Sequence, residues 1–149
     1  MKTSEICRKQ VVVSKRSTPL DEVARLMRKG HVGCVVVLEE GDGKLPVGIV
    51  TDRDLVIEVM APGLDARDLT AGDVMTTSPA VTRETDDVLW ALKTMRDRGI
   101  RRLPVVDEAG TLKGIVAMDD VMENVGVALG DIVQALGTER SVENWRRAS

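Results

Sequence analysis

Residues 13–60 can be laid over residues 81–122 with only small slips, and this internal repeat limits what the chain can fold into more than any other feature. Leu20 meets Val88 and Met27 meets Met95 at an offset of 68, Gly30 meets Gly99 at 69, and Gly48 meets Gly114 at 66. The second copy therefore reads as one residue longer before its glycine and three residues shorter in its hairpin. A supersecondary unit of about 60 residues buries too little surface to be stable alone, so the two copies are expected to bury their sheets against each other.

Within each copy the hydrophobic period changes in a fixed order. Val11 to Val13 is a β-branched run, and Thr18-Pro19-Leu20-Asp21 offers an N-cap, a proline at the first helical position and an acid to answer the cap. A helix follows with Leu20, Val23, Ala24 and Met27 on one face, and Gly30 ends it. Cys34 to Leu38 and Val47 to Val50 flank Gly41-Asp42-Gly43 as a buried hairpin, and a second helix runs from about Asp52 to Met60. The second copy repeats this order: Val81, a helix from about Asp86 to Arg98, strands Leu103–Val106 and Gly114–Ala117 around Glu108-Ala109-Gly110, and a helix from Met118. Polar residues 64–79 read as a connector. Leu129, Ile132, Val133 and Leu136 predict one more amphipathic helix, and the charged tail after Gly137, with Trp145, is expected to fray unless a partner holds it.

In the helix from Asp86, the residues Val88, Ala91, Leu92 and Met95 share the core face, which points Trp90 outward. Its repeat mate is Glu22, so this ring belongs to the second copy alone and is expected at or beside a helix contact in a homodimer.

Composition removes several classes of function. A net charge of −3, a pI near 5.3 and 1% aromatic residues supply neither the basic field nor the stacking rings of a nucleic-acid binder. The first ten residues are polar and no stretch approaches 18 uncharged apolar residues, so no membrane contact and a cytoplasmic location are expected. Cys7 and Cys34 fit no disulfide framework and no C-x-x-C spacing, and read as buried free thiols. His31 is the single histidine, and no His-Cys or Ser-His-Asp set, H-E-x-x-H or P-loop can be assembled, which argues against an enzyme. Asp52/Asp54 and Asp119/Asp120 could hold a hard cation, but acids at helix starts are also favoured by the helix dipole alone, and no metal site is assigned.

The chemistry that is present lies in Gly48-Ile49-Val50-Thr51-Asp52-Arg53-Asp54, where a strand runs directly into a helix. Glycine would let a ligand approach the backbone, the Thr51 hydroxyl can cap the helix and donate outward, and Asp54 can accept two bonds from a vicinal diol. That arrangement suits a ribose beside a helix N-terminus; read alone, Thr51 and Asp54 also suit a plain helix cap.

Taken with the repeat, these residues resemble a CBS-domain pair, also called a Bateman module, over roughly residues 6–124, and look like small stand-alone bacterial CBS proteins. The resemblance rests on Asp73-Val74-Met75-Thr76, Gly99-Ile100-Arg101-Arg102-Leu103-Pro104-Val105-Val106-Asp107, the Gly48 to Asp54 run with its mate Gly114 to Asp120, and Ala61-Pro62-Gly63-Leu64-Asp65. It implies an α+β fold of two tandem β-α-β-β-α repeats packed about a pseudo-twofold axis. The repeats would be residues 6–63 and 80–124, joined by the connector 64–79 and followed by a C-terminal helix and charged tail over 125–149. It further implies a non-enzymatic regulatory, energy-sensing module with no obligatory cofactor, which binds AMP, ADP, ATP or S-adenosylmethionine and signals to a protein partner. By position, the first cleft would join Thr51 and Asp54 to Ala80, Val81, Ile100, Arg101, Arg102 and Leu103, and a weaker second cleft would join Asp120 to Val12, Val13, His31, Val32 and Gly33. Ala117 stands where the second cleft needs a hydroxyl, and His31-Val32-Gly33 stands for Ile100-Arg101-Arg102, so phosphate recognition is expected in the first cleft. Two other readings stay open: a dimeric interaction protein with empty clefts, and a redox or metal sensor built on Cys7, Cys34 and His31.

Overall fold

Apolar residues at helical spacing and β-branched runs set the elements of the structure, a computed structural model that describes residues 1–148. In chain order these are α1 (Thr3–Ile6), β1 (Val13–Lys15), α2 (Leu20–Gly30), β2 (Cys34–Leu38), β3 (Pro46–Thr51), α3 (Asp52–Asp54), α4 (Ala71–Val74), β4 (Thr76–Thr77), β5 (Thr82–Arg83), α5 (Val88–Arg98), β6 (Arg102–Val106), β7 (Leu112–Ala117) and α6 (Met118–Ala148). A π-helical run, Leu55–Met60, continues α3, and a 3-10 turn, Ala66–Asp68, precedes α4.

The first sheet has the order β1-β2-β3-β4, with β1 parallel to β2 and the remaining pairs antiparallel; the second has the order β5-β6-β7 with the same directions. Every residue of β2 is buried, so it reads as one continuous apolar run. Each sheet carries its own core. Leu20, Val23 and Met27 of α2 close over Val35, Val37 and Val50 in the first; Val88, Ala91 and Met95 of α5 close over Leu103, Val105 and Val116 in the second. The fold is the expected α+β pair of repeats.

The register corrects the sequence alignment of the two units. Val37 pairs with Gly48 as Val105 pairs with Gly114, and Cys34 pairs with Thr51 as Arg102 pairs with Ala117, so the offset of 68 holds from helix through strand. The slip at Gly30/Gly99 does not exist. The left-handed residue that ends each helix is His31 (φ 50°) in the first unit and Gly99 (φ 64°) in the second, and each helix then closes through Val32 N–H to Met27 O or Ile100 N–H to Met95 O. Gly30 is simply the last helical residue. Thr18 likewise does not cap α2. Its Oγ1 accepts from Lys15 N–H at 2.9 Å and fixes the turn before the helix, which starts at Leu20 with Pro19 as N-cap.

Residues 64–79 do more than connect. Leu69, Ala71, Val74 and Met75 pack on the first core, and β4 pairs with β3 as the sheet's edge. The N-terminal segment does the same for the second sheet: Ile6 and Cys7 pack on its core, and Arg8 bridges to Ile115 in the place that Thr76 takes beside Ile49. The expected break at Gly137 is absent, because one helix runs from Met118 to Ala148 without interruption.

Candidate functional site

The end of β3 and the start of α3 are tied by reciprocal bonds. Asp54 N–H donates to Thr51 Oγ1 at 3.2 Å, and Thr51 N–H donates to Asp54 Oδ2 at 2.8 Å. This box holds the Asp54 carboxylate at a cleft of about 540 Å³ and leaves its Oδ1 unengaged among the described residues. Across the cleft lie Ala80, Ile100, Arg101 and Arg102, so six of the eight residues expected here share one space. Leu103 does not join them: strand alternation turns it into the second core, fully buried, while Arg102 and Pro104 on either side of it line the cleft. Val81 is not on the wall either.

Several lining residues were missed by the sequence reading. Ile49, Pro79, Gly99 and Pro104 add apolar surface, Thr76 a hydroxyl, Asp52 a carboxylate and Arg53 a third guanidinium. Strand alternation pointed to Ile49 and Pro104, while Thr76 and Pro79 depend on how the connector packs. The Arg101 guanidinium lies 3.3 Å from Asp119, an exposed pair of little energetic weight. Arg102 sits at the seam between the clefts and lines both. A Cβ at Gly33 would lie 3.2 Å from its Nη2 and 3.0 Å from Asp52 Oδ2, so glycine makes room for both charges.

The glycines at the start of the two motifs have a different task from the one expected of them. A Cβ at Gly48 would collide with Met75 Sδ, and one at Gly114 would lie 2.8 Å from Arg8 O and 2.9 Å from Cys7 Sγ. They admit the crossing segments, and neither lines a cleft.

The second cleft is much smaller, about 140 Å³. Val12, His31, Val32, Gly33 and Asp120 line it, whereas Val13 does not. Asp120 is only 6% exposed and its acceptors are engaged: Arg8 Nε donates to Oδ1 at 2.9 Å, with Arg8 Nη2 also 2.9 Å from it as an ion pair, and Ala117 N–H donates to Oδ2 at 2.9 Å. With the corrected register, Gly33 and Cys34 stand where the first cleft has Arg101 and Arg102. Burial pushes the Cys34 thiol up from its ordinary value; Arg102 opposes that rise and Asp52 adds to it. Cys7 is half-buried beside Gly114, His31 caps α2, and among the described residues no three His, Cys, Asp or Glu side chains gather into a cation site.

A family model described as CBS domain matches residues 4–61 and 71–126. An uncharacterised protein of Methanopyrus kandleri is 42% identical over 120 residues, which cover 80% of this chain and 60% of that one. A mitochondrial CBS domain-containing protein of Arabidopsis thaliana is 31% identical over 128 residues, covering 84% and 56%. The chain thus matches less than two thirds of the length of these two relatives. Among solved structures, a CBS domain protein from Pyrobaculum aerophilum complexed with AMP superposes with a TM-score of 0.75 at 31% identity, covering 80% of this chain and 89% of that one.

Proposed function

The chain belongs to the CBS-domain family, and from that premise we propose that it is a regulatory, non-enzymatic module whose first cleft takes an adenosine-containing ligand. The carrying observation is the free Asp54 Oδ1 beside the Thr51 hydroxyl, facing Arg101 and Arg102 across an apolar floor. Asp54 and Thr51 take the ribose hydroxyls, because a carboxylate oxygen held at a helix start accepts from a diol without moving. The adenine lies against Ile49, Ala80, Ile100 and Pro104, where no aromatic ring is present and backbone groups supply the polar contacts. Arg53, Arg101 and Arg102 face the phosphate or other anionic end. The AMP bound by the Pyrobaculum aerophilum relative supports this ligand class.

Occupancy becomes a signal only through different affinities for two shapes of the module, which a protein partner then reads. The module acts in the cytoplasm as an energy sensor, and as a homodimer with Trp90, 48% exposed on α5, at or beside the contact. Among the described residues no helix is long and apolar enough to cross a membrane.

Thermal melts with AMP, ADP, ATP and S-adenosylmethionine test the reading. A ligand at 100 times its dissociation constant stabilises the folded state by about 2.7 kcal/mol. No shift with any of the four at millimolar concentration would leave the dimeric interaction protein as the better reading. Sedimentation of Trp90→Glu tests the contact separately, and unchanged association at micromolar concentration removes it.

A further inference from the structure

The two halves of the chain lead equivalent segments past equivalent strands, and the residue at the crossing differs. Thr76 pairs with Ile49 beside the first cleft, and Arg8 pairs with Ile115 beside the second. Arg8 is fixed there by its own backbone: its N–H donates to Ile115 O at 2.9 Å, and Ile115 N–H donates to Arg8 O at 3.0 Å. The side chain at this crossing lines the neighbouring cleft in both halves, a threonine in the first and an arginine in the second.

The carboxylates of the two clefts differ accordingly. In each half one oxygen accepts from the backbone at the end of a strand: Asp54 Oδ2 from Thr51 N–H at 2.8 Å, and Asp120 Oδ2 from Ala117 N–H at 2.9 Å. The other oxygen separates them. Asp54 Oδ1 has no partner among the described residues, whereas Asp120 Oδ1 accepts from Arg8 Nε at 2.9 Å and has Nη2 at the same distance as an ion pair. Asp54 stays half-buried at a cleft of about 540 Å³, while Asp120 is 6% exposed at one of about 140 Å³. A guanidinium brings two donors to a carboxylate, as a vicinal diol does, so Arg8 occupies the acceptor that ribose hydroxyls would use. The Arg8 side chain is itself 66% exposed, and it can turn out into solvent while its backbone stays paired.

We propose that Arg8 is an internal occupant of the second cleft, where its guanidinium holds the carboxylate oxygen that a ribose diol needs and so limits the chain to one nucleoside site. The inference rests on the adenosine reading of the first cleft, because it gives Asp120 the ribose chemistry proposed there for Asp54. Ala117 and His31-Val32-Gly33 already mark the second cleft as weaker from within the motif. Arg8 lies outside the motif, and its side chain can be removed without touching the cleft's own strands.

Calorimetry of the full chain with millimolar adenosine tests it, since adenosine carries the diol without a phosphate for the arginines of the first cleft. The unaltered protein is expected to bind one adenosine per chain. Arg8→Thr, which gives the second crossing the residue of the first, is expected to bind two, with the second cleft at least tenfold tighter than before. Adding Asp120→Ala to Arg8→Thr is expected to return the protein to one. Arg8→Lys keeps a charge beside Asp120 but loses the fork; it serves if the threonine variant does not fold, and is expected to open the second cleft in part. Two adenosines on the unaltered chain, or a folded Arg8 variant that binds no more than the unaltered protein, overturns the proposal; so does a second site that survives Asp120→Ala. An Arg8 variant that gains a site while the unaltered protein binds none supports the proposal and strikes the adenosine reading of the first cleft. No binding to either protein overturns both.

Discussion

Asp54 and Asp120 occupy equivalent places in the repeat, yet their carboxylates have different freedom. Asp54 keeps one oxygen unengaged at the cleft, while Arg8 holds Asp120 from within the chain. Asp54→Ala is therefore expected to weaken adenosine-ligand binding at least tenfold by calorimetry, since a charged hydrogen bond contributes about 1.5–3 kcal/mol. Asp120→Ala is expected to change that affinity much less; equal losses would mean that the two clefts are wrongly ranked. On the proposed reading Arg102→Ala is expected to lower affinity for ATP more than for adenosine, because the guanidinium would face the phosphates. Arg8→Ala leaves the buried Asp120 oxygen without its partner and is expected to cost about 1–3 kcal/mol in urea unfolding. Two titratable groups give further readouts. Burial raises the Cys34 thiol, so at pH 8 it is expected to react with a disulfide reagent more slowly than half-buried Cys7. Arg67 hydrogen bonds hold Asp65 down at about 2, and a carboxylate depressed on folding contributes stability above its unfolded value and loses it as pH falls toward 2. An NMR titration with the Asp65 midpoint near 4 would contradict that geometry.

At the scale of elements, the helices and the hairpins were legible because their apolar residues repeat at the spacing of the structure they form: Leu20, Val23 and Met27, or Val88, Ala91 and Met95. Glycine misled twice. Gly30 looked like a helix terminator, but the left-handed cap is His31, and matching glycine to glycine displaced the alignment by one residue. Gly48 looked like an opening for a ligand, but it and its mate Gly114 face Met75 and the Arg8 backbone from segments distant in sequence, a contact that no local pattern reports. Leu103 and Arg102 illustrate the remaining limit. A motif read as a string includes both neighbours, whereas a strand turns one to the core and the other to the cleft. Gly114→Ala is expected to destabilise by about 1–3 kcal/mol, because the added methyl meets a backbone carbonyl that can only give way by moving the edge of the sheet. Urea unfolding measures the loss.

In the whole molecule, neither core is closed by one continuous unit of the repeat. The first core closes with Ala71 and Met75, and the second with Ile6 and Cys7, so the boundary suggested by sequence similarity is not the boundary of packing. A fragment spanning residues 9–79 holds all four strands of the first sheet and is expected to show a cooperative urea transition; residues 1–63, which lack Ala71, Met75 and β4, are expected to show none. The crossing also sets a timetable for a chain made from its N-terminus. Thr3 Oγ1 donates to the Arg83 and Asp86 carbonyls, 80 and 83 residues further on, and Arg8 reaches Asp120 across 112 residues. At about 5–20 residues per second, residues 3–8 wait several seconds for their partners while the first sheet can already close around β4. Residues made before the first sheet find their place only after it, and until the second half of the chain emerges Ile6, Cys7 and Arg8 remain open to whatever meets the nascent protein.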